Sequence, residues 1–526
     1  MGAWIRIKDF SGWGDATYLW PRWLVLRAVG LVFVLIFAGI LKEGQVLVGP
    51  KGLIPLSLFF QDLHVRLPSV VEAFLQAPSL FWAGTSAAMI TLVAWMGMLA
   101  AIALVLNLWP RLALLGCWVA LLSFVTTWGI FSGSQVDQLM LETALLCIPF
   151  APAGYRPGLG AASPPRPIAV FIVRWLLFRV MFESGVAKLI AGDPRWWNGT
   201  AMDVLYETSP FPTILGYLDH QLPHGYHLFE MALTYAAEFL APLLAVFAGR
   251  RGRWVAFWIW VIFQAGIQLT NNFGWLNTVS IALGVLLLDD QMLVAAAEKL
   301  RWLRLGQFLS KTTARGWPTL ALATAGAHGP PALARWRLTA LRTALWAQFG
   351  LTLFFFATYF GMPVSGFPYA LGRPLKFGLE NFRAANPYTL YGGLLTARYA
   401  VEFEGSNDAG VTWRPYEYHY QPQRPDRMGP FIAPWYPRFE ATLQIEATHQ
   451  TPSPLYALVA QHLLQDDQAV IGLFRRNPFP GAPPTLIRMP VYQLTFTDAT
   501  MRRATGNFWH KELQGEYLPM MSIDAA

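Results

Sequence analysis

The chain has 526 residues, 55% hydrophobic and only 13% charged, about half the charge fraction of an ordinary soluble domain. With several apolar runs near the ~20 residues that cross a bilayer, this excludes a soluble globular protein and indicates a polytopic membrane protein. The net charge of +8 does not indicate nucleic acid: residues 361–526 carry 14 Lys/Arg and 14 Asp/Glu, so the whole excess (25 basic against 17 acidic) lies in 1–360. Loops between apolar runs carry it, as the positive-inside rule produces, and no basic stripe on a soluble surface is visible.

About 22 residues, including Trp4, Trp13 and Trp20, precede the first apolar run, and no small-residue cleavage site follows it. No cleavable signal peptide is expected. Spans are predicted near 24–41, 81–106, 112–131, 136–150, 168–190, 230–248, 254–272, 274–289 and 342–360. The fourth is short enough to be re-entrant. The fold class is therefore a polytopic α-helical membrane bundle of about nine spans over 1–360, followed by a soluble strand-rich α+β domain over 361–526.

The loops at 250–253 and 295–342 are basic, with Lys299, Arg301, Arg304, Lys311, Arg315, Arg335, Arg337 and Arg342 in the second. Both are expected in the cytosol, and 305–340, rich in Ala, Gly and Pro, is expected to be poorly ordered in part. Nine spans then put 361–526 on the far side. Loops 42–80 and 191–229 face the same way, and the helical spacing of LIPLSLFFQDLHVRLPSVVEAFL predicts an interfacial amphipathic segment in the first. Cys117 and Cys147, the two cysteines, sit in spans and read as small buried hydrophobes. Residues 361–526 contain none, which excludes a disulfide framework and thiol exchange there.

The run from Arg174 to Tyr206 carries the most information. It is an apolar helix with Arg174, Arg179, Glu183 and Lys188 at membrane depth, each costing roughly 2.5–3.5 kcal/mol unless paired. Arg179 and Glu183 are spaced to face one another. Arg174 and Lys188 share nearly the opposite face and need partners among Asp137, Glu142, Glu230 and Glu238. Lys188 reads either as a snorkelling or paired cation or, if desolvated, as a base; Glu183 and Glu238 are the carboxylates that would accompany it.

The helical hairpin around residue 273 adds Gln264, Gln268, Asn271, Asn272 and Asn277. These read as interhelical hydrogen bonds, or as the lining of an outward cavity shared with Lys188 and Glu230. The outer-loop candidates are Asp193, Trp196, Trp197, Asn198, Tyr206 and Glu207. The paired tryptophans suit an interfacial belt or a lid over a cavity. Asn198-Gly199-Thr200 also fits a glycosylation acceptor. His220, His224 and His227 match no zinc spacing and read as surface loop histidines, so no metal is expected, and Asp289-Asp290 read as solvated.

Beyond residue 360 the pattern becomes extended. Arg398 to Glu404 alternates, a turn follows at 406–410, and 411–418 resumes, a hairpin signal. Leu486 to Thr497 is a further strand candidate and 453–474 is helical in pattern. Trp413, Tyr416, Tyr418, Trp435 and Tyr436 are candidate contact residues for a client protein, or one face of the domain's own core. No nucleophile elbow, phosphate loop or zinc-protease helix occurs, and no cofactor is implied.

Several stretches, in one order along the chain, closely resemble the lipase maturation factors, a family of integral membrane proteins. They are GPKGLIP at 49–55, SGVAKLIAGDPRWWNGTAMDVLYETSPFP at 184–212, QLTNNFGWLNTVSIALGVLLLDD at 268–290, EGSNDAGVTWRPYEYHYQP at 404–422, GPFIAPWYPRFE at 429–440 and NPFP at 477–480. The resemblance implies a chaperone-like protein whose domain outside the cytosol assists folding and assembly of secreted lipases. In eukaryotes the family resides in the endoplasmic reticulum membrane. The Ala-, Arg- and Trp-rich composition here points instead to a bacterial inner membrane. The run SGVAKLIAGDPRWWNGTAM also resembles the vitamin K-dependent gamma-carboxylases and their horizontally transferred transmembrane relatives. That resemblance maps a catalytic base onto Lys188, although two more residues separate it here from the following aspartate and no carboxylase substrate domain is matched. The expected partners are a secreted client and the bilayer.

Overall fold

The computed structural model describes residues 6–313, 332–362 and 380–523, except 8, 9, 14, 15, 68, 134 and 450, together with 366, 370 and 372. Trp4, Arg315 and the middle of the basic loop, 314–331, lie outside the described residues. Nine described helices fall where the sequence predicts spans. They are α1 (Leu19–Val48), α2 (Ala87–Val105), α3 (Pro110–Val125), α4 (Gln135–Phe150), α5 (Pro167–Ile190), α6 (His224–Phe247), α7 (Gly249–Thr270), α8 (Leu276–Gly284) and α9 (Ala332–Tyr359). Of these α1, α2, α6 and α9 are long and apolar enough to cross a bilayer. A fifth candidate is α8 with its continuation to Leu287 plus Asp290–Lys299, bent by 96°. The helix α5 has the length, at 24 residues, and carries Arg174, Arg179, Glu183 and Lys188 within it.

Small residues allow the helices to approach closely, as in lipid-embedded bundles. A Cβ on Gly97 of α2 would lie 2.2 Å from the Phe37 ring of α1, so only glycine fits. Loop 42–80 is shorter than expected because α1 runs to Val48. The rest forms Leu56–Arg66 and Val70–Gln76, burying Leu56, Phe60 and Leu63 and exposing Leu58, Val65, Val70 and Val71, the amphipathic pattern anticipated. Cys117 and Cys147 are buried free thiols.

Asp289 and Asp290, expected to be solvated, are both buried. Asp289 pairs with Arg253 at 3.0 Å, and Asp290 accepts the Leu19 and Trp20 amides at 2.9 and 2.8 Å. Together they join the start of α7 to the start of α1.

Among the described residues after 380 there are seven short strands and several helices. β1 (Arg398–Val401), β5 (Pro490–Phe496) and β6 (Trp509–Glu516) form one antiparallel sheet in the order β1-β5-β6. β2 (Glu404–Ser406), β3 (Arg414–Pro415), β4 (Leu486–Arg488) and β7 (Met521–Ser522) form the other, in the order β3-β2-β4-β7. The predicted hairpin is present as β2–β3, with Glu404 opposite Pro415. Each longer predicted strand, however, divides between the two sheets: 398–404 into β1 and β2, 486–497 into β4 and β5. The helical stretch is α11 (Pro454–Leu464) followed by Gln468–Ile471. It is preceded by α10 (Arg438–Glu446), which lies outside the predicted helical stretch. Buried apolar residues of the helical half and of this tail belong to one continuous cluster, from Phe33 and Leu121 to Phe439, Tyr456 and Ile487.

Candidate functional site

The ionised residues of α5 are all buried: Arg174, Arg179, Glu183 and Lys188 are each 3% exposed or less. Lys188 pairs with Glu238, one of the carboxylates expected for it, at 2.6 Å; the partners of Arg179 and Arg174 differ from expectation. Arg179 makes its short contact with Glu142 of α4, while the i,i+4 neighbour Glu183 stands off at 3.9 Å. Arg174 donates to the Leu286 and Phe10 carbonyls at 2.7 and 2.8 Å. The four carboxylates considered for it serve other groups: Glu142 serves Arg179, Glu238 serves Lys188, Asp137 serves Arg438, and Glu230 serves Tyr206 and His227.

What the charges of α5 hold is a piece of irregular backbone from the tail. Residues 386–395 have no regular structure, so their amides and carbonyls need partners from elsewhere. Arg179 donates to Asn386 O at 2.9 Å, Glu183 accepts from the Tyr388 amide at 2.9 Å, and Lys188 donates to Leu390 O at 2.9 Å. Beyond the helix end, Asp193 accepts the Leu394 amide at 2.9 Å, while Arg195 donates to the Leu394 and Leu395 carbonyls at 2.5 and 2.8 Å. Trp196 Nε1 donates to Tyr391 O at 3.1 Å. Glu142 completes the grip, accepting from the Asn386 amide and side chain at 3.1 Å and from Tyr388 OH at 2.9 Å. Residues 386–395 thus form a strap clamped in register with α5. The Arg195 hydrogen bonds draw the Asp193 carboxyl down to about 2 and keep this end of the clamp charged.

Beneath the strap lies a cavity of about 410 Å³, within the range of small-molecule sites. Lys188, Glu230, Glu238, Gln264, Asn271 and Asn277 line it together with many apolar side chains. This brings together most of the polar set read from sequence. Gln268 and Asn272 are not among its lining residues: Gln268 accepts from Thr278 at 2.9 Å, and Asn272 accepts from the Ile432 and Ala433 amides at 2.9 and 3.0 Å. The Lys188–Glu238 pair is 2.6 Å long. Glu238 sits in a π-turn, Ala236–Leu240, inside α6, the kind of local widening frequent at functional sites. Gly185 of α5 admits that turn, because a Cβ there would lie 3.0 Å from Glu238 Cβ and 2.8 Å from the Phe239 ring.

The tryptophan pair divides. Trp196 is buried, with the Lys188 ammonium 5.1 Å from its ring centre, and Trp197 is 66% exposed, so only Trp197 fits the interfacial belt. Asn198 accepts from Thr200 at 2.7 Å in an exposed turn. Tyr206 donates to Glu230 at 2.5 Å, and Glu207 accepts the Phe496 amide of β5 at 2.6 Å. His227, expected on a surface loop, is buried against Glu230 at 2.9 Å because Pro223 starts α6 rather than breaking it. Among the described residues, no group of three or more His, Cys, Asp or Glu is arranged to hold a metal ion.

Of the proposed client contacts, Tyr416 and Tyr418 are core residues, 0% and 5% exposed. Trp413 lies half-buried under Arg488, Trp435 is half-buried near Lys42, and Tyr436 packs on Trp275 and Gly274. The exposed apolar side chains of the tail are others, Val411 and Phe431 among them. Alternation along 411–418 did not reveal which face is buried.

The family model described as Lipase maturation factor transmembrane domain matches residues 20–295, and that described as Lipase maturation factor C-terminal domain matches 384–519. The chain is similar to Lipase maturation factor 2 of Homo sapiens, 28% identical over 96% of this chain and 83% of the relative. It is similar to Lipase maturation factor 2 of Rattus norvegicus, at 29% over 96% and 83%. Lipase maturation factor 1 of Bos taurus is 27% identical over 96% and 90%. No solved structure matches the chain.

Proposed function

Because the chain belongs to the lipase maturation factor family, we propose that it is an integral-membrane maturation factor that assists folding or assembly of secreted proteins such as lipases. The observation that carries this reading is the match of the two family models to the helical half and to the tail, in one order along the chain. The mechanism is binding without chemistry. The bundle crosses the membrane about nine times, with the short α4 as the re-entrant candidate. It presents residues 361–526 outside the cytosol, in a bacterial inner membrane rather than the endoplasmic reticulum. The basic residues at 250–253 and 295–342 support that orientation. The strap supports a tail fixed at the membrane surface, since an anchored binding face loses less freedom when it captures a client. A reporter fused behind Ala526 tests the orientation, and crosslinking from the tail in native membranes tests the client. Recovery of secreted lipases is expected; recovery of none, with the tail correctly placed, would reject the reading.

One observation favours a second reading, an enzyme of the carboxylase-like class: Lys188 lies on the wall of the cavity. Its neighbours are already committed, Glu238 to the ion pair and Glu183 to the strap. Wild-type function in a stably folded Lys188→Arg variant would end that reading.

A further inference from the structure

The cavity has features that client binding does not use. It opens between α6 and α7, where the lining residues Tyr226, Phe229, Ile262 and Gly266 are exposed. The outward faces of these helices carry Leu240, Leu243, Val255, Trp258 and Leu269, all exposed and apolar, so the mouth opens toward lipid and not toward water. Hydrogen-bonding capacity at the buried end is one-sided. Lys188 donates to Glu238 and Leu390 O, Ser184 to Val180 O, Tyr206 to Glu230 and Trp196 to Tyr391 O. Three acceptor oxygens on the wall residues Glu238, Asn271 and Asn277 (Oε2, Oδ1 and Oδ1) are buried without a partner. Both asparagine amide groups are engaged, with Thr270 and Gln264 respectively, so their oxygens are left as acceptors.

We propose that this cavity binds a neutral long-chain lipid with free hydroxyl groups, of the monoacylglycerol or diacylglycerol kind. Its hydroxyls lie at the Glu238–Asn277 end and its chain runs out between α6 and α7. A buried acceptor without a donor is costly, and a hydroxylated headgroup supplies donors to these three oxygens. A fatty-acid anion would bring a second carboxylate beside Glu238, whose charge Lys188 already balances. A quinone, which only accepts, would leave the same oxygens unmatched. The proposal does not rest on the client reading, and its test needs no client.

The test uses the full-length chain in phosphatidylcholine vesicles, photolabelled with a diazirine-bearing monoacylglycerol and mapped by peptide mass spectrometry. Labelling is expected within 224–270. Unlabelled monoacylglycerol is expected to compete about tenfold better than a fatty acid or an isoprenoid quinone of similar length. Gly266→Trp closes the mouth and meets open space, since nothing lies within 4 Å of a Cβ there; it is expected to remove most of the labelling without changing the melting temperature. Ile262→Trp, on an exposed position, serves as a second block. Equal competition by the anion or the quinone, labelling outside 224–270, or full labelling of both folded variants would overturn the proposal.

Discussion

Arg438 of the tail and Asp137 of α4 form a two-pronged ion pair, Nη1 to Oδ2 and Nη2 to Oδ1, each 2.8 Å long. The guanidinium also donates to the Phe131 carbonyl at 3.1 Å and lies 4.4 Å from the Trp128 ring centre. Both residues are at most 2% exposed. With the strap at 386–395, this pair fixes the tail on the bundle.

Arg438→Met leaves the Asp137 carboxylate buried without its counter-charge, and breaking such a pair costs about 3–5 kcal/mol. The variant is expected to melt at lower temperature in detergent and to release the tail to trypsin sooner. The double variant Asp137→Leu/Arg438→Met is expected to recover most of the loss, because two apolar side chains replace the pair without an orphan charge.

The same logic applies to Lys188 and Glu238. Lys188→Met strands Glu238 and is expected to lose about 3–5 kcal/mol, read as a fall in melting temperature. Lys188→Met/Glu238→Leu is expected to regain stability and maturation activity together. Regained stability with activity still absent would show that the Lys188–Glu238 pair does more than hold the fold.

The tail carries a pH dependence of its own. Burial pushes the Glu440 carboxyl up to about 7 from the ordinary 4.5, although the His419, Tyr420 and Gln421 amides donate to it. Between those values the folded tail keeps a proton that the unfolded chain has released. Stability therefore falls as pH rises from about 4.5 to about 7 and levels off above, by on the order of 3 kcal/mol. Unfolding midpoints of the full chain in detergent at pH 5 and pH 8 check this. A flat profile, or an unchanged slope in Glu440→Leu, would contradict it.

Tyr416 and Trp413 separate core from surface. Tyr416→Ala is expected to cost about 3–5 kcal/mol, because the ring packs on Phe474 and Phe479. Trp413→Ala is expected to cost ~1 kcal/mol or less, since its ring is only partly buried, against Arg488. Denaturant midpoints distinguish the two, and equal losses would refute the assignment.

The helices were legible because apolar length leaves a direct trace in sequence. So was the pairing of the α5 charges, since Arg179, Glu183 and Lys188 have no place at membrane depth without partners. The partners of Arg179 were not legible. Arg179 meets Glu142 and Asn386, 37 and 207 positions away, and helical spacing reports only the i,i+4 neighbour Glu183. The strap has no periodicity, so nothing marked 386–395 as backbone in need of buried donors and acceptors. Asp289 and Asp290 looked solvated because they end an apolar run; only the approach of α1 and α7 buries them. In the tail, alternation located extended backbone but could not show that the chain changes sheets after Val401 and after Arg488.

The central claim is tested most directly by the specific activity of a secreted lipase made in cells lacking a maturation factor of their own, with and without this chain inserted in their membranes. The account predicts several-fold more activity per secreted lipase molecule when the chain is present, at unchanged lipase synthesis. Equal specific activity in both, with the chain folded and its C-terminus outside the cytosol, would contradict it.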